Sequence, residues 1–452
     1  MACIRYTFFF VQFAGNLWLA RILVPEDFGL FALAMSISEI IFMLGGFGFA
    51  RACIQLQNEP DIFDTGLILT GIVAVGLTGI GLTAAYVSHY AFSDNVAVFL
   101  AVLSVMKLLQ MPSALYLAYL EKDFSFRRSA LIPGVSRSIG MVVAIALAMS
   151  GWGMWCLLIR EVTALGLVFL GSVLLSPYKF NFSFNRISAG KIIRFSFGIF
   201  FVRMSEVMFG RVPNLLMGSF AGITVLGYFE RSLYVPRLVN VMLSQLYGKV
   251  GFAVYSKVKD QPERIGRGLE LSLFWLSRIV FLPAVFVFLY PRFILTTMLG
   301  EQWEYAAPLF QGFALFVATM PLFTVIKQAL LATGKMTPIV LSRVVGVVII
   351  GFGALLAWLM DRNWAIIPWS MSIASTVSFV WLAVICQRQG IVIRWTYVFK
   401  LPLILSCLIL IGGMTYVHTS EVIALPTLIF FWGLLVLVCD IGEVKRFYAY
   451  MH

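Results

Sequence analysis

The chain has 452 residues, 61% of them hydrophobic and only 12% charged, against roughly 25% charged in soluble domains. That composition leaves no room for a soluble domain and makes lipid the solvent. The net charge of +12 does not argue for a nucleic-acid partner, because cytoplasmic loops of membrane proteins collect Lys and Arg.

A hydrocarbon core of about 30 Å needs about 20 apolar residues in a helix. Stretches that meet this run approximately over 4–22, 29–53, 64–87, 95–119, 129–150, 152–175, 192–218, 223–248, 269–291, 305–332, 337–360, 364–387, 397–417 and 422–440. They are continuous rather than alternating, which excludes a barrel, since backbone polar groups in lipid must be satisfied within helices or a closed sheet. The predicted fold class is an all-α integral membrane protein of about 14 spans. The first stretch, Arg5 and then Tyr6–Ala20, looks like a signal peptide, but Leu17–Arg21 runs on into a charged turn with no A-x-A-like site, so a membrane helix fits better.

An even number of spans puts both termini on one side. With that side inside, the inner links hold Lys122, Arg127, Arg128, Lys179, Arg186, Lys191, the long basic link Lys249–Arg267, Lys335, Arg388, Arg394, Lys400, Lys445 and Arg446. The outer links hold little beyond Arg21, Arg292 and Arg362. The positive-inside rule therefore predicts cytoplasmic termini.

An internal repeat appears when Leu17–Phe31 is laid over Leu215–Phe229, placing Gly29 on Gly227. Both copies would link the first and second spans of a six-helix lobe, as in duplicated transporter halves. The predicted organisation is an N-terminal lobe over 1–176, a C-terminal lobe over 191–388 and two additional helices over 397–440.

The cysteines Cys3, Cys53, Cys156, Cys386, Cys407 and Cys439 are scattered without a C-x-x-C pair, and His89, His418 and His452 do not cluster. Neither a disulfide framework nor a metal site is expected, and no cofactor.

Cations lie well inside the predicted spans: Lys107, Arg137, Arg160, Arg203, Arg211, Arg231, Arg237, Arg278, Lys327 and Arg343. At about 3 kcal/mol each, about ten of them facing hydrocarbon would cost on the order of 30 kcal/mol, so they must line a wet cavity, pair or snorkel. Snorkelling suits Arg137, Arg237 and Arg343, within about two turns of an inner end. Only Glu39, Glu161, Glu206 and Glu230 accompany them, which leaves a net positive interior matched to a diphosphate or acidic sugar. Arg203 stands three residues before Glu206, as a structural ion pair or a substrate contact. Tyr228, Arg231 and Tyr234 place a cation between aromatics, for sugar stacking or for ordinary packing. Gln12 and Asn16 form a polar stripe suited to interhelical hydrogen bonds. Glu39 is either a protonatable coupling group or the partner of a cation. The candidate substrate-binding residues are Lys107, Arg137, Arg203, Arg211, Arg231, Tyr228, Tyr234 and Lys327; the candidate ion-coupling or gating residues are Glu39 and Glu206. No covalent chemistry is required of them.

Five segments, Leu19–Ala32 (LARILVPEDFGLFA), Gly45–Gln55 (GGFGFARACIQ), Phe252–Arg264 (FAVYSKVKDQPER), Leu299–Pro308 (LGEQWEYAAP) and Leu331–Lys335 (LATGK), together resemble the polysaccharide transporter branch of the MOP exporter superfamily. Within that branch the nearest likeness is to lipopolysaccharide and colanic-acid-type exporters. The resemblance implies two six-helix lobes around a central cavity, which the charges would make cationic. It also implies a bacterial inner-membrane flippase moving a polyprenyl-diphosphate-linked oligosaccharide outward by alternating access. Membrane lipids, a polysaccharide polymerase and chain-length machinery are its implied partners. Members carry a longer polar lead into the first helix, so a truncated or mis-started N-terminus is expected. Two rivals remain. A multidrug exporter of the same superfamily would sooner carry an anionic cavity. A polytopic glycosyltransferase would use an acidic pair such as Glu26-Asp27, but needs a larger outer loop than any here.

Overall fold

A computed structural model describes residues 2–45, 48–56, 59, 61–257, 261–396, 398–400, 402–404 and 406. The predicted last two helices, Cys3, Cys407, Cys439, Met1, Lys445 and Arg446 lie outside the described residues or side chains, as does most of the Phe252–Arg264 segment. Among the described residues the regular structure is entirely helical. The chain forms two compact units, Met1–Arg231 with Met298–Trp303, and Ser232–Thr297 with Glu304–His452.

The first unit holds α1 (Ala2–Ile22), α2 (Pro25–Met43), the short α3 (Phe49–Gln55), α4 (Ile62–Ala91), α5 (Asp94–Lys122), α6 (Phe126–Met149), α7 (Trp155–Leu175), α8 (Arg186–Leu216) and the first turns of α9 (Ile223–Lys257). Pairs α4 and α5, and α6 and α7, pack side by side; α1 lies on α6, and α2 lies on both α5 and α8. Local chemistry sets the boundaries. Pro25 opens α2 with its fixed φ, and Asp27 accepts the Val24 N–H at 3.2 Å. Ser93 accepts the Val96 N–H at the start of α5, and Asn185 accepts from Ile187 and Ser188 at the start of α8. The second unit carries the rest of α9, then α10 (Pro262–Leu289), most of α11 (Pro291–Leu299), α12 (Ala307–Gln311), α13 (Ala314–Ala332), α14 (Thr337–Leu359) and α15 (Ile366–Arg388), with α13 packed on α10 and α15.

Eight of the described helices, α4–α7, α10 and α13–α15, are long and apolar enough to cross a membrane. α1, α2, α8 and α9 occupy predicted spans, but α8 and α9 are diluted by Arg194, Arg203, Glu206, Arg211, Glu230, Arg231 and Arg237. Three boundaries differ from expectation. The predicted span 29–53 is two helices, because the glycine-rich turn ends α2 and Gly48 adopts φ 67° before α3. The predicted span 305–332 begins as a 3-10 turn (Glu301–Ala306) and α12 before α13. The basic link expected from Lys249 is still α9 as far as Lys257.

The repeat-related glycines meet. In the first unit a Cβ on Gly29 would strike the Ile223 carbonyl oxygen, and one on Gly227 would strike the Pro25 carbonyl oxygen. The contact is reciprocal: each glycine faces the carbonyl four residues before the other, so the first turns of α2 and α9 cross backbone to backbone. At the same end, the buried Trp303 donates Nε1–H to the Ala20 carbonyl at 2.8 Å, and Gln302 Nε2 donates to Ala20 at 2.6 Å and Leu23 at 3.1 Å. The C-terminal carbonyls of α1, which have no helical partner, are thereby satisfied.

Candidate functional site

Arg211 of α8 is the centre of a charged cluster inside the first unit. Its Nε donates to Glu39 Oε2 of α2 at 2.7 Å, and Nη1 lies 3.6 Å from Glu230 Oε1 of α9. The side chains keep 19%, 31% and 11% of their exposure respectively, so the guanidinium and the two carboxylates meet partly shielded from water. Asn214, one turn on from Arg211 and fully buried, donates Nδ2–H to Ser36 Oγ at 2.8 Å and to Glu230 Oε1. Ser36 in turn donates to the Ala32 carbonyl at 2.6 Å. Three helices are thus tied by one guanidinium and one amide.

Beside the cluster, a cavity of about 370 Å³ is lined by Glu39, Thr70, Lys107, Gln110 and Arg203 among apolar side chains, and reaches Gly45, Gly48 and Phe49 at the break between α2 and α3. The Lys107 ammonium lies 6.0 Å from the Phe42 ring centroid. Of the charged residues that line the cavity, the cations Lys107 and Arg203 outnumber the one acid, Glu39; outside that lining, Arg211 pairs with Glu39 and Glu230, and Glu161 acts on Lys107. The chemistry of this lining suits an anion, through charge, and a hydroxyl-rich group, through hydrogen bonds.

The cations of the spans take several forms. Arg203 lines the cavity and makes no ion pair with Glu206 among the described residues. Arg137 is exposed. Arg160 donates to Asn16 Oδ1 at 3.4 Å, and Asn16 donates to the Gln12 carbonyl at 2.7 Å, so the polar stripe of α1 does bind across helices. Arg231 stacks over Phe28 at 3.9 Å, and Tyr228 meets Trp303 edge-on at 6.0 Å. In the second unit, Tyr234 and Lys327 are half-buried, and Arg278 lies 3.4 Å over Phe274 while donating to its carbonyl at 2.9 Å. Arg343 does not snorkel: it is 1% exposed and stacked over Phe323 at 3.7 Å. A phenylalanine one turn away was the sequence signal for Arg278, four residues after Phe274; the other partners come from distant segments. Asn214 and Ser36, the neutral half of the cluster, went unmarked by sequence, although an amide three residues after Arg211 in an apolar helix was its trace.

Residues 18–308 match the profile of the family described as "Polysaccharide biosynthesis protein". The chain is 26% identical over 299 residues to the succinoglycan biosynthesis transport protein ExoT of Rhizobium meliloti (strain 1021), covering 64% of this chain and 59% of that relative's length. Its fold is similar to lipid II flippase MurJ in an inward closed conformation, with TM-score 0.74, 12% identity and 99% of both chains covered. It is also similar to an inward-facing multidrug resistance MATE family transporter of the MOP superfamily, with TM-score 0.67, 15% identity, and 86% of this chain and 98% of that chain covered.

Proposed function

The chain belongs to the polysaccharide biosynthesis protein family, and we propose that it is a flippase carrying a polyprenyl-diphosphate-linked oligosaccharide from the inner to the outer leaflet of a bacterial inner membrane. The observation that carries this reading is the cavity of the first unit, where Lys107 and Arg203 face a space of about 370 Å³ inside apolar helices. Cations held there repel a cationic drug and attract a diphosphate. The names of the relatives agree, one a succinoglycan transport protein and one a lipid II flippase.

In this reading both termini are cytoplasmic, the substrate enters from the leaflet beside the basic links, and alternating access releases the glycan outside. Lys107 and Arg203 contact the diphosphate; Arg137, Arg231 and Tyr228 in the first unit and, taken by themselves, Tyr234 and Lys327 in the second are further candidate contacts. Glu39 and Glu206 serve coupling or gating, Glu39 through its bond to Arg211. Polymerase and chain-length proteins are the partners that would consume the product. No covalent step is assigned to any residue. The test is Lys107→Ala and Arg203→Ala in a host that depends on the chain for surface polysaccharide. Glycan-loaded carrier should accumulate on the cytoplasmic leaflet while the protein stays in the membrane at wild-type level. Carrier lipids lacking one sugar would instead make the chain a glycosyltransferase.

The MATE-like fold keeps a multidrug exporter as the second reading. Restored efflux of a cationic dye in a pump-deficient strain, with surface polysaccharide unchanged by deletion, would favour it.

A further inference from the structure

At one end of the first unit, two links hold phenylalanines in a conformation that bulky side chains avoid. Phe124, between α5 and α6, has φ 54° and is 82% exposed, and Phe182, between α7 and α8, has φ 55° and is 81% exposed. The left-handed region is unfavourable for an L-residue with a bulky side chain, and an exposed ring in water adds nothing to offset it. Each ring has an aromatic neighbour, Phe126 at 6.0 Å from Phe124 and Phe180 at 4.2 Å from Phe182, and Phe184 and Ile187 are exposed beyond them.

The two links share one end, because α6 and α7 run out and back between them. The link before α8 is also tied down. Tyr178 donates its hydroxyl to Asp64, the Asn181 N–H donates to the same carboxylate at 3.0 Å, and the Asn185 N–H donates to Thr65 Oγ1 at 3.0 Å. The Tyr178 ring lies against Tyr116 and Tyr119 of α5, at 5.8 and 4.9 Å. A segment so held presents its outward rings by construction, and exposed cations stand close to them in sequence, Arg127, Arg128, Lys179 and Arg186, against one exposed acid, Asp123.

We propose that these two links form an interfacial foot, in which Phe124, Phe126, Phe180, Phe182 and Phe184 enter the headgroup boundary of the adjoining leaflet while Arg127, Arg128, Lys179 and Arg186 bind anionic lipid phosphates. Aromatic rings beside cations match that boundary, apolar on one side and negatively charged on the other. Each basic residue near an anionic surface adds to the attraction. A soluble protein partner fits less well, because the rings stand next to membrane-spanning helices, where headgroups already lie. The foot depends on the membrane-spanning fold and is independent of the molecule carried.

The test places the photo-crosslinking phenylalanine analogue benzoylphenylalanine at position 124 or 182 of the full chain, in vesicles of phosphatidylethanolamine with or without phosphatidylglycerol. Phospholipid adducts at both positions, enriched several-fold for phosphatidylglycerol over its share and losing that enrichment in the Lys179→Gln/Arg186→Gln background, are expected. Absence of lipid adducts on correctly eluting protein, adducts to another protein chain in native membranes, or lipid adducts without headgroup preference would overturn the proposal. Phe124→Asn/Phe182→Asn guards against misfolding, since Asn tolerates the left-handed region. That variant should fold and lose the thermal stabilisation that phosphatidylglycerol gives the wild type; undiminished stabilisation would count against the foot.

Discussion

Replacing Arg211 by Met isolates the worth of the charged cluster. Two carboxylates depend on this guanidinium: Glu39, bonded at 2.7 Å, and Glu230, at 3.6 Å and 11% exposed. Removing one partner of a buried pair costs about 3–5 kcal/mol, chiefly because the remaining charge is stranded. Met keeps the volume and the stem, so little of the loss comes from packing. Glu39→Gln alone should cost about 1.5–3 kcal/mol, the range for a hydrogen bond to a charged group. In the Arg211→Met background the same change should cost almost nothing, or restore stability, because it removes one of two stranded charges. The cycle should therefore show a coupling of about 2 kcal/mol. Purified single and double variants in detergent, compared by the temperature that halves the monodisperse gel-filtration peak, give the readout. Additive losses, with the double variant less stable than either single, would refute the argument that Arg211 holds these acids together.

Other substitutions probe the end where α2 and α9 cross. Gly227→Ala should lower the yield of folded protein by the about 1–3 kcal/mol of an overpacked site, since its methyl meets the Pro25 carbonyl; yield and melting temperature report it, whereas Gly190→Ala, with open space around it, should be neutral. Trp303→Phe should cost about 1–2 kcal/mol by removing one donor to the Ala20 carbonyl, and Gln302→Leu on top should cost more than it does alone, because the carbonyl then keeps neither donor. Tyr178→Phe should speed hydrogen exchange at Asn181 and Asn185 at least several-fold without lowering export. Burial and the Asp64 carboxylate push the Tyr178 hydroxyl well above its ordinary range, so once the base-catalysed rise of intrinsic exchange is divided out, the protection of these amides in the wild type should persist as pH rises to about 10, the usual tyrosine value.

The fold class was legible because lipid imposes one rule on every span, and apolar runs of about 20 residues obey it visibly. The break after α2 was written in Gly45 and Gly48, yet the apolar residues of Phe49–Gln55 hid it from a hydropathy reading. For the site, charge inside apolar helices marked Lys107, Arg203, Arg211, Glu39 and Glu230 as residues needing an explanation, since each is costly there. What it could not supply was the pairing. Among the described residues no ion pair joins Arg203 to Glu206, three residues on, whereas Arg211 and Glu39, 172 apart, do pair. Helix spacing constrains only neighbours on one helix; crossings between helices decide the rest. Stacking of Arg231, Arg278 and Arg343 on phenylalanines at 3.9, 3.4 and 3.7 Å gave the surplus cations an outlet that counting acids overlooks.

Two of the five segments that carry the family resemblance meet within the first unit: Leu19–Ala32, and Leu299–Pro308 through its Gln302 and Trp303. The α1–α2 turn leaves the Ala20 and Leu23 carbonyls without helical donors. Gln302 and Trp303 supply those donors at 2.6–3.1 Å. Phe28 then packs on Trp303 at 5.6 Å, and Gly29 lets α9 approach to backbone contact. Each residue type follows from that geometry: an indole or amide where a donor is needed, glycine where no side chain fits. Within the first unit this end is filled by backbone, indole and phenyl rings, while the cavity with Lys107 and Arg203 reaches the glycine break between α2 and α3. The break lies towards the end that holds Lys122, Arg127, Arg128 and Lys179, the end from which the proposed anionic substrate would approach. That asymmetry supports entry of the substrate from the leaflet beside the basic links.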